Sequence, residues 1–172
     1  MTQSENLQTA VRQPAQRPQM PKEYGIATGE EHMREWQEVV GELELAHNYW
    51  LSTSSPDGKP HAMPVWGIWH SDHFYFSTHR HSRKSRNLKA NSRVVVHLES
   101  GANAVIVEGV AEEITDPEFL RRLGDIYALK YSGMRLSSDP TSSDAVFAVK
   151  PLVIYAWLEA NFSKSATCWR FE

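Results

Sequence analysis

The chain has 172 residues, of which 41% are hydrophobic and 23% charged, and a formal net charge of −3. That composition suits one globular domain with a sizeable core, and it is not that of a polycation seeking nucleic acid. A single cysteine, Cys168, excludes an internal disulfide and a cysteine-based zinc site, and no apolar run approaches the roughly 20 residues of a membrane span.

Residues 1–24 read as a flexible N-terminal tail, because Pro14, Pro18 and Pro21 interrupt any helix and glutamine recurs. The tail has no apolar signal core, which points to a cytoplasmic protein. Residues 25–172 read as one domain. Thr28-Gly29-Glu30-Glu31 has the form of a capping box and predicts a helix to about Leu45, with Met33, Trp36, Val39, Val40 and Leu43 on one stripe. Tyr49 to Thr53 then alternates as a strand, and Ser55-Pro56-Asp57-Gly58 is a turn. Lys59 to Trp69 is the returning strand. Pro64 inside it donates no ladder hydrogen bond, so it marks an edge, a bulge or a break. His70 to His73 is the next tight connection, which predicts a meander of three successive strands.

The stretch from His73 to Leu88 carries the clearest chemistry. Phe74 and Phe76 face one side of a strand and Tyr75 the other. The strand delivers the hydroxyls of Ser77 and Thr78 beside a helix that Ser82 opens as N-cap. Arg80, Arg83, Lys84 and Arg86 crowd the same residues. Free amides, the helix dipole, hydroxyls and cations together favour a phosphate, whereas the plainer reading is a solvated basic helix face.

Beyond this helix, Arg93–Leu98 and Ala104–Ala111 read as strands, with Gly109 as a possible bulge. Asp116-Pro117 caps a helix to about Tyr131. Ser132–Ser143 is a flexible connection. Ala145–Glu159 is a long strand bent at Pro151, and Thr167–Phe171 is a short last one. The pattern predicts a mainly β (α+β) fold, a six- to seven-stranded antiparallel split β-barrel with a few flanking helices.

The order of these motifs resembles the pyridoxamine 5'-phosphate oxidase-like family of FMN-binding split β-barrels, and most closely its flavin/deazaflavin oxidoreductase branch. The residues that carry the resemblance are Pro56-Asp57-Gly58, Pro60-His61, Pro64-Val65-Trp66, Phe74 to Thr78, Ser82 to Leu88, Val107 to Ala111 and Thr167 to Phe171. It implies a homodimer with FMN or the deazaflavin coenzyme F420 at the subunit interface, F420 being slightly favoured. By similarity, Pro64, Val65 and Trp66 run along the ring, and Ser77 and Thr78 meet the ribityl chain and phosphate. Ser82, Arg83, Lys84 and Asn87 clamp the phosphate, and Trp157, Trp169 and Arg170 reach across from the second subunit. Cys168 stands where the resemblance leads one to expect arginine.

The implied activity is hydride transfer to or from a small organic substrate, with no catalytic acid or base singled out, since the cofactor carries the redox chemistry. A non-enzymatic flavin, haem or tetrapyrrole binding protein is the alternative. His79-x-His81 has no identifiable third ligand, so no metal site is expected. No Gly-x-Ser-x-Gly elbow marks a hydrolase. Neither nucleic acid nor a membrane is an expected partner.

Overall fold

Residues 11–172 are described in a computed structural model. In chain order the elements are α1 (Trp36–Leu45), β1 (Tyr49–Ser54), β2 (Pro60–Val65), β3 (Gly67–His70), β4 (His73–His79), α2 (Arg83–Ala90) and β5 (Arg93–His97). They continue with β6 (Asn103–Ile114), α3 (Pro117–Lys130), β7 (Asp144–Leu158), α4 (Phe162–Ser165) and β8 (Thr167–Arg170).

All strand pairs are antiparallel, in the order β2-β1-β5-β6-β7-β4-β3, and β8 pairs with β7 outside that path. Strands β2 and β3 lie at opposite ends of the order, yet only Trp66 separates them in the chain. The sheet therefore curls until its two ends meet at Trp66, which makes the mainly β split barrel predicted above. The predicted single strand Lys59–Trp69 is two strands, and the predicted three-strand meander is two separate hairpins. Pro64 does not make the break. It sits within edge strand β2, opposite Trp50, where its missing N–H costs no ladder bond. The break is at Trp66. Gly67 then fits beneath the Phe74 ring, where an added Cβ would lie 2.3 Å from its Cζ.

Alternation fills the barrel. Leu51, Phe74, Phe76, Val96, Val107 and Ile154 point inward, and α1 adds Val39 and Leu43. The opposite face of β3, β4 and β7 carries Ile68, Tyr75 and Val146, covered by Leu120, Leu123 and Tyr127 of α3. Thus β4 is buried on both faces. Helix α3 starts as predicted, with the Asp116 carboxylate accepting from the N–H of Glu118 and Phe119. Helix α1 does not start at the Thr28 capping box. His32 adopts a positive φ of 64°. The Arg17 guanidinium holds the carbonyls of Gly29 and Glu31 in a non-helical turn.

Of the expected tail, residues 11–17 run beside β8: Val11 pairs with Glu172, Gln13 with Arg170 and Gln16 with Cys168 through backbone bonds. Residues 1–10 lie outside the described residues.

The β6–β7 register shifts after Glu108, where Gly109 pairs with Pro151 and Leu152 is left over. A Cβ at Gly109 would come 2.4 Å from the Lys150 carbonyl oxygen and 2.8 Å from Val149 Cγ1. We expect Gly109→Ala to cost about 1–3 kcal/mol, as overpacking does, read as a lower urea midpoint at unchanged m-value.

Candidate cofactor site

The end of β4 and the start of α2 meet at the corner where the sequence predicts an anion. Ser82 has extended backbone and its Oγ accepts the Ser85 N–H at 3.2 Å, so it is the N-cap expected. Thr78 Oγ1 and Ser82 Oγ lie 3.0 Å apart, which ties the strand end to the helix start. The amide of Asn87 donates to Thr53 Oγ1 (3.0 Å), and that of Asn91 donates to Ser54 Oγ (2.9 Å). Helix α2 is thereby clamped onto β1, next to edge strand β2.

Two cationic side chains of the corner have no ion-pair partner among the described residues. Neither Arg83 nor Lys84 has a hydrogen-bond or ion-pair partner among the described residues, and both are partly buried. Burial lowers the Lys84 pKa. The His61 pKa falls through its own burial and then through the charges of Arg83 and Lys84, which act on β2 from α2. Two buried polar atoms have no partner here: His61 Nδ1 and the hydroxyl of Ser85, a residue with no solvent exposure. Arg83 and Lys84 thus keep their donors free for an anion at this corner. A phosphate supplies both the charge and the acceptor oxygens.

The other predicted residues have mixed placements. Arg80 leaves the cluster: its guanidinium pairs with Glu113 and donates to the carbonyls of Ser142 (2.7 Å) and Pro140 (2.6 Å). Arg86 donates to the His81 carbonyl. Pro64 is exposed on β2, whereas the Val65 side chain is buried in the core. Trp66 is 41% exposed and stacks on Tyr131 at 5.0 Å. Ser77 is half-buried. Trp157 meets Phe162 edge-on at 5.7 Å, and Arg170 is exposed. Trp169 is only 1% exposed and packs 5.3 Å from Trp36, so as placed it has no surface to offer a ligand. Its position within the short last strand gives no hint of this, because the Trp36 contact is long-range.

Sequence reasoning missed Ser85 as a polar group of the corner. The available signal was its spacing: Ser85 and Leu88 lie three apart, on the helix face turned to the barrel. Also missed was a network at the far end of α3. Lys130 Nζ donates to Tyr49 Oη (2.7 Å) and the Gly67 carbonyl (3.1 Å), and Tyr131 Oη bonds the carbonyls of His47 and Gly67 at 2.8 Å.

Burial lowers the Lys130 pKa to about 8, with Glu44 opposing the shift. A lysine whose folded pKa lies below its unfolded value destabilises the fold while it is charged. Native Lys130 loses its proton before the unfolded chain does, so stability contributed by this group rises between pH about 8 and 10. We expect urea midpoints to rise over that window and the rise to shrink in Lys130→Met.

Among the described residues, no three His, Cys, Asp or Glu side chains form a metal group, and no helix is long and apolar enough to cross a membrane. A cavity of about 340 Å³ on the outer sheet face, bordered by Ser52, Arg93, Glu108 and Leu152, includes none of the predicted cofactor residues.

No curated protein matches the chain. Among solved structures, an F420 reductase is 25% identical, with 66% of this chain and 93% of that one covered and a TM-score of 0.52. A conserved hypothetical protein of Mycobacterium tuberculosis is 24% identical over 75% of this chain and 88% of its own, with a TM-score of 0.64. General stress protein 26 of Bacillus anthracis is 21% identical over 70% and 92%, with a TM-score of 0.55. The last two show the fold alone. The family model for pyridoxamine 5'-phosphate oxidase matches residues 36–158, from the start of α1 to the end of β7. With the split barrel closed at Trp66 and that match running through it, the chain belongs to the pyridoxamine 5'-phosphate oxidase family.

Proposed function

We propose that the protein is an oxidoreductase that binds FMN or F420 between two copies of the chain and transfers hydride to or from a small organic substrate. The observation that carries this reading is the corner at α2. Arg83 and Lys84 are unpaired there, and His61 Nδ1 beside them is buried without a partner. These residues fit a phosphate, a group that both cofactors present. Arg83 and Lys84 supply charge. Ser77 supplies a hydroxyl on the strand leading in. Thr78, Ser82 and Asn87 are bonded to one another or to Thr53, so they hold the corner's shape.

From the corner, edge strand β2 leads to the exposed Pro64 and Trp66, along which a planar ring system would lie. When bound, the cofactor supplies the hydride chemistry. The chain's own part is to fix the phosphate, orient the ring along β2 and cover it from water. Likeness to an F420 reductase favours F420, and one phosphate corner serves FMN equally.

Support for a homodimer comes from the outer face of the sheet. Residues out of phase with the core, Trp50, Val95, Ile106, Val153, Tyr155 and Trp157, lie across β1, β5, β6 and β7 and are exposed or half-buried. A barrel whose outer face is this apolar has surface to bury against a second copy. Trp157 and the exposed Arg170 stand on that side. A site shared between copies also needs no closed pocket in one of them.

Side-by-side titration with FMN and F420, followed by absorbance and tryptophan fluorescence, tests the reading. We expect saturable binding of one of them by a dimer in light scattering. Turnover with the reduced cofactor separates an enzyme from a carrier of flavin or tetrapyrrole. Binding of neither cofactor removes the proposal.

A further inference from the structure

A second cavity, of about 370 Å³, lies over the free edge of β3. Its walls are Glu44 from α1, Ile68, Trp69 and His70 from β3, and Ile126, Leu129 and Lys130 from α3. It shares no residue with the cofactor corner, and its volume is at the small end for small-molecule sites.

The cavity's chemistry is a divided one. Lys130 bonds Tyr49 and Gly67, which leaves one of its three N–H donors unused, and no carboxylate is within ion-pair range among the described residues. Glu44 acts on Lys130 through space, yet the two form no ion pair. One cation and one anion thus line the same cavity without meeting, and the remaining walls are mostly apolar. Glu44 is exposed to solvent, and Lys130 Nζ lies over the Tyr49 and Tyr131 rings as well as bonding Tyr49 and Gly67, so a ligand that carries both charges gains by adding a contact to each.

The strand edge adds a donor. Gly67 turns its N–H and C=O away from β4, where Tyr131 and Lys130 take them. Strand hydrogen bonding alternates, so Trp69, two residues on, turns its own N–H and C=O to the same free edge. Among the described residues, no helix backbone bonds them.

We propose that this cavity binds a free α-amino acid with an apolar side chain. The ligand carboxylate sits on the Lys130 ammonium and the Trp69 N–H. Its ammonium sits on Glu44, and its side chain lies among Ile68, Ile126 and Leu129. A simple carboxylic acid meets the repulsion of Glu44, and a simple amine meets that of Lys130. Only a ligand carrying both charges satisfies both walls.

Isothermal titration calorimetry on the full chain at neutral pH tests this with L-leucine, L-phenylalanine, N-acetyl-L-leucine and L-leucinamide. We expect saturable 1:1 binding of a free amino acid, at least about tenfold stronger than either blocked analogue. Glu44→Gln, at an exposed position, should weaken leucine about tenfold and leave N-acetyl-leucine unweakened. Lys130→Met should weaken leucine and spare leucinamide. Since Lys130 also ties Tyr49 and Gly67, Glu44→Gln carries the test if that variant does not fold. Absence of saturable binding, blocked analogues that bind as well as leucine, or leucine binding unchanged in Glu44→Gln overturns the assignment.

Discussion

Replacing Arg83 and Lys84 together by alanine should weaken cofactor affinity by at least about tenfold while leaving the fold intact. Charge-assisted hydrogen bonds typically contribute roughly 1.5–3 kcal/mol each, and a tenfold loss corresponds to about 1.4 kcal/mol. The lower bound is the sound one, because both side chains are partly exposed and solvent screens them. Neither residue is spent on an intramolecular partner among the described residues, so their removal breaks no internal bond. The measurement is a fluorescence titration of wild type and double variant at two salt concentrations. The wild-type advantage should narrow at high salt. Equal affinity in the two proteins would place the phosphate elsewhere.

Replacing Trp169 by alanine should act on stability instead. Its ring is 1% exposed and packs against Trp36 and, through Trp36, next to Phe171. Truncating a buried tryptophan costs about 3–5 kcal/mol, which lowers the melting temperature by about 6–20 °C in a chain of this size. Trp169→Phe keeps most of the volume and should lose less. The resemblance implies a cofactor contact for Trp169, and these variants separate the two roles. A core residue lowers the melting temperature with cofactor affinity kept in the folded fraction. A contact residue loses affinity in Trp169→Phe at nearly unchanged stability.

These two variants show why one part of the candidate site could be read from the chain and another could not. The corner at α2 is local. Ser77, Thr78, Ser82, Arg83 and Lys84 are consecutive or nearly so, and an N-cap with its neighbouring cations is written over a few residues. Trp169 depends on what lies opposite. Its partner Trp36 is over a hundred residues away, and nothing in Thr167-Cys168-Trp169-Arg170 says which of its faces meets α1. Arg80 was misread for the same reason. It belongs to the basic run in sequence, but Glu113 of β6 and the 140–142 loop before β7 take its guanidinium.

Periodicity alone was enough to announce most strands, the α3 cap at Asp116, the bulge at Gly109 and the mainly β class, because those follow from alternation, φ preferences and short-range hydrogen bonds. Closure was settled by three-dimensional packing. The stretch predicted as one strand, Lys59 to Trp69, splits at Trp66 and sends its halves to opposite ends of the sheet. The buried, partnerless atoms of Ser85 and His61 likewise exist only once α2 is clamped against β1 and β2, since burial is a property of what surrounds a group and not of the group itself.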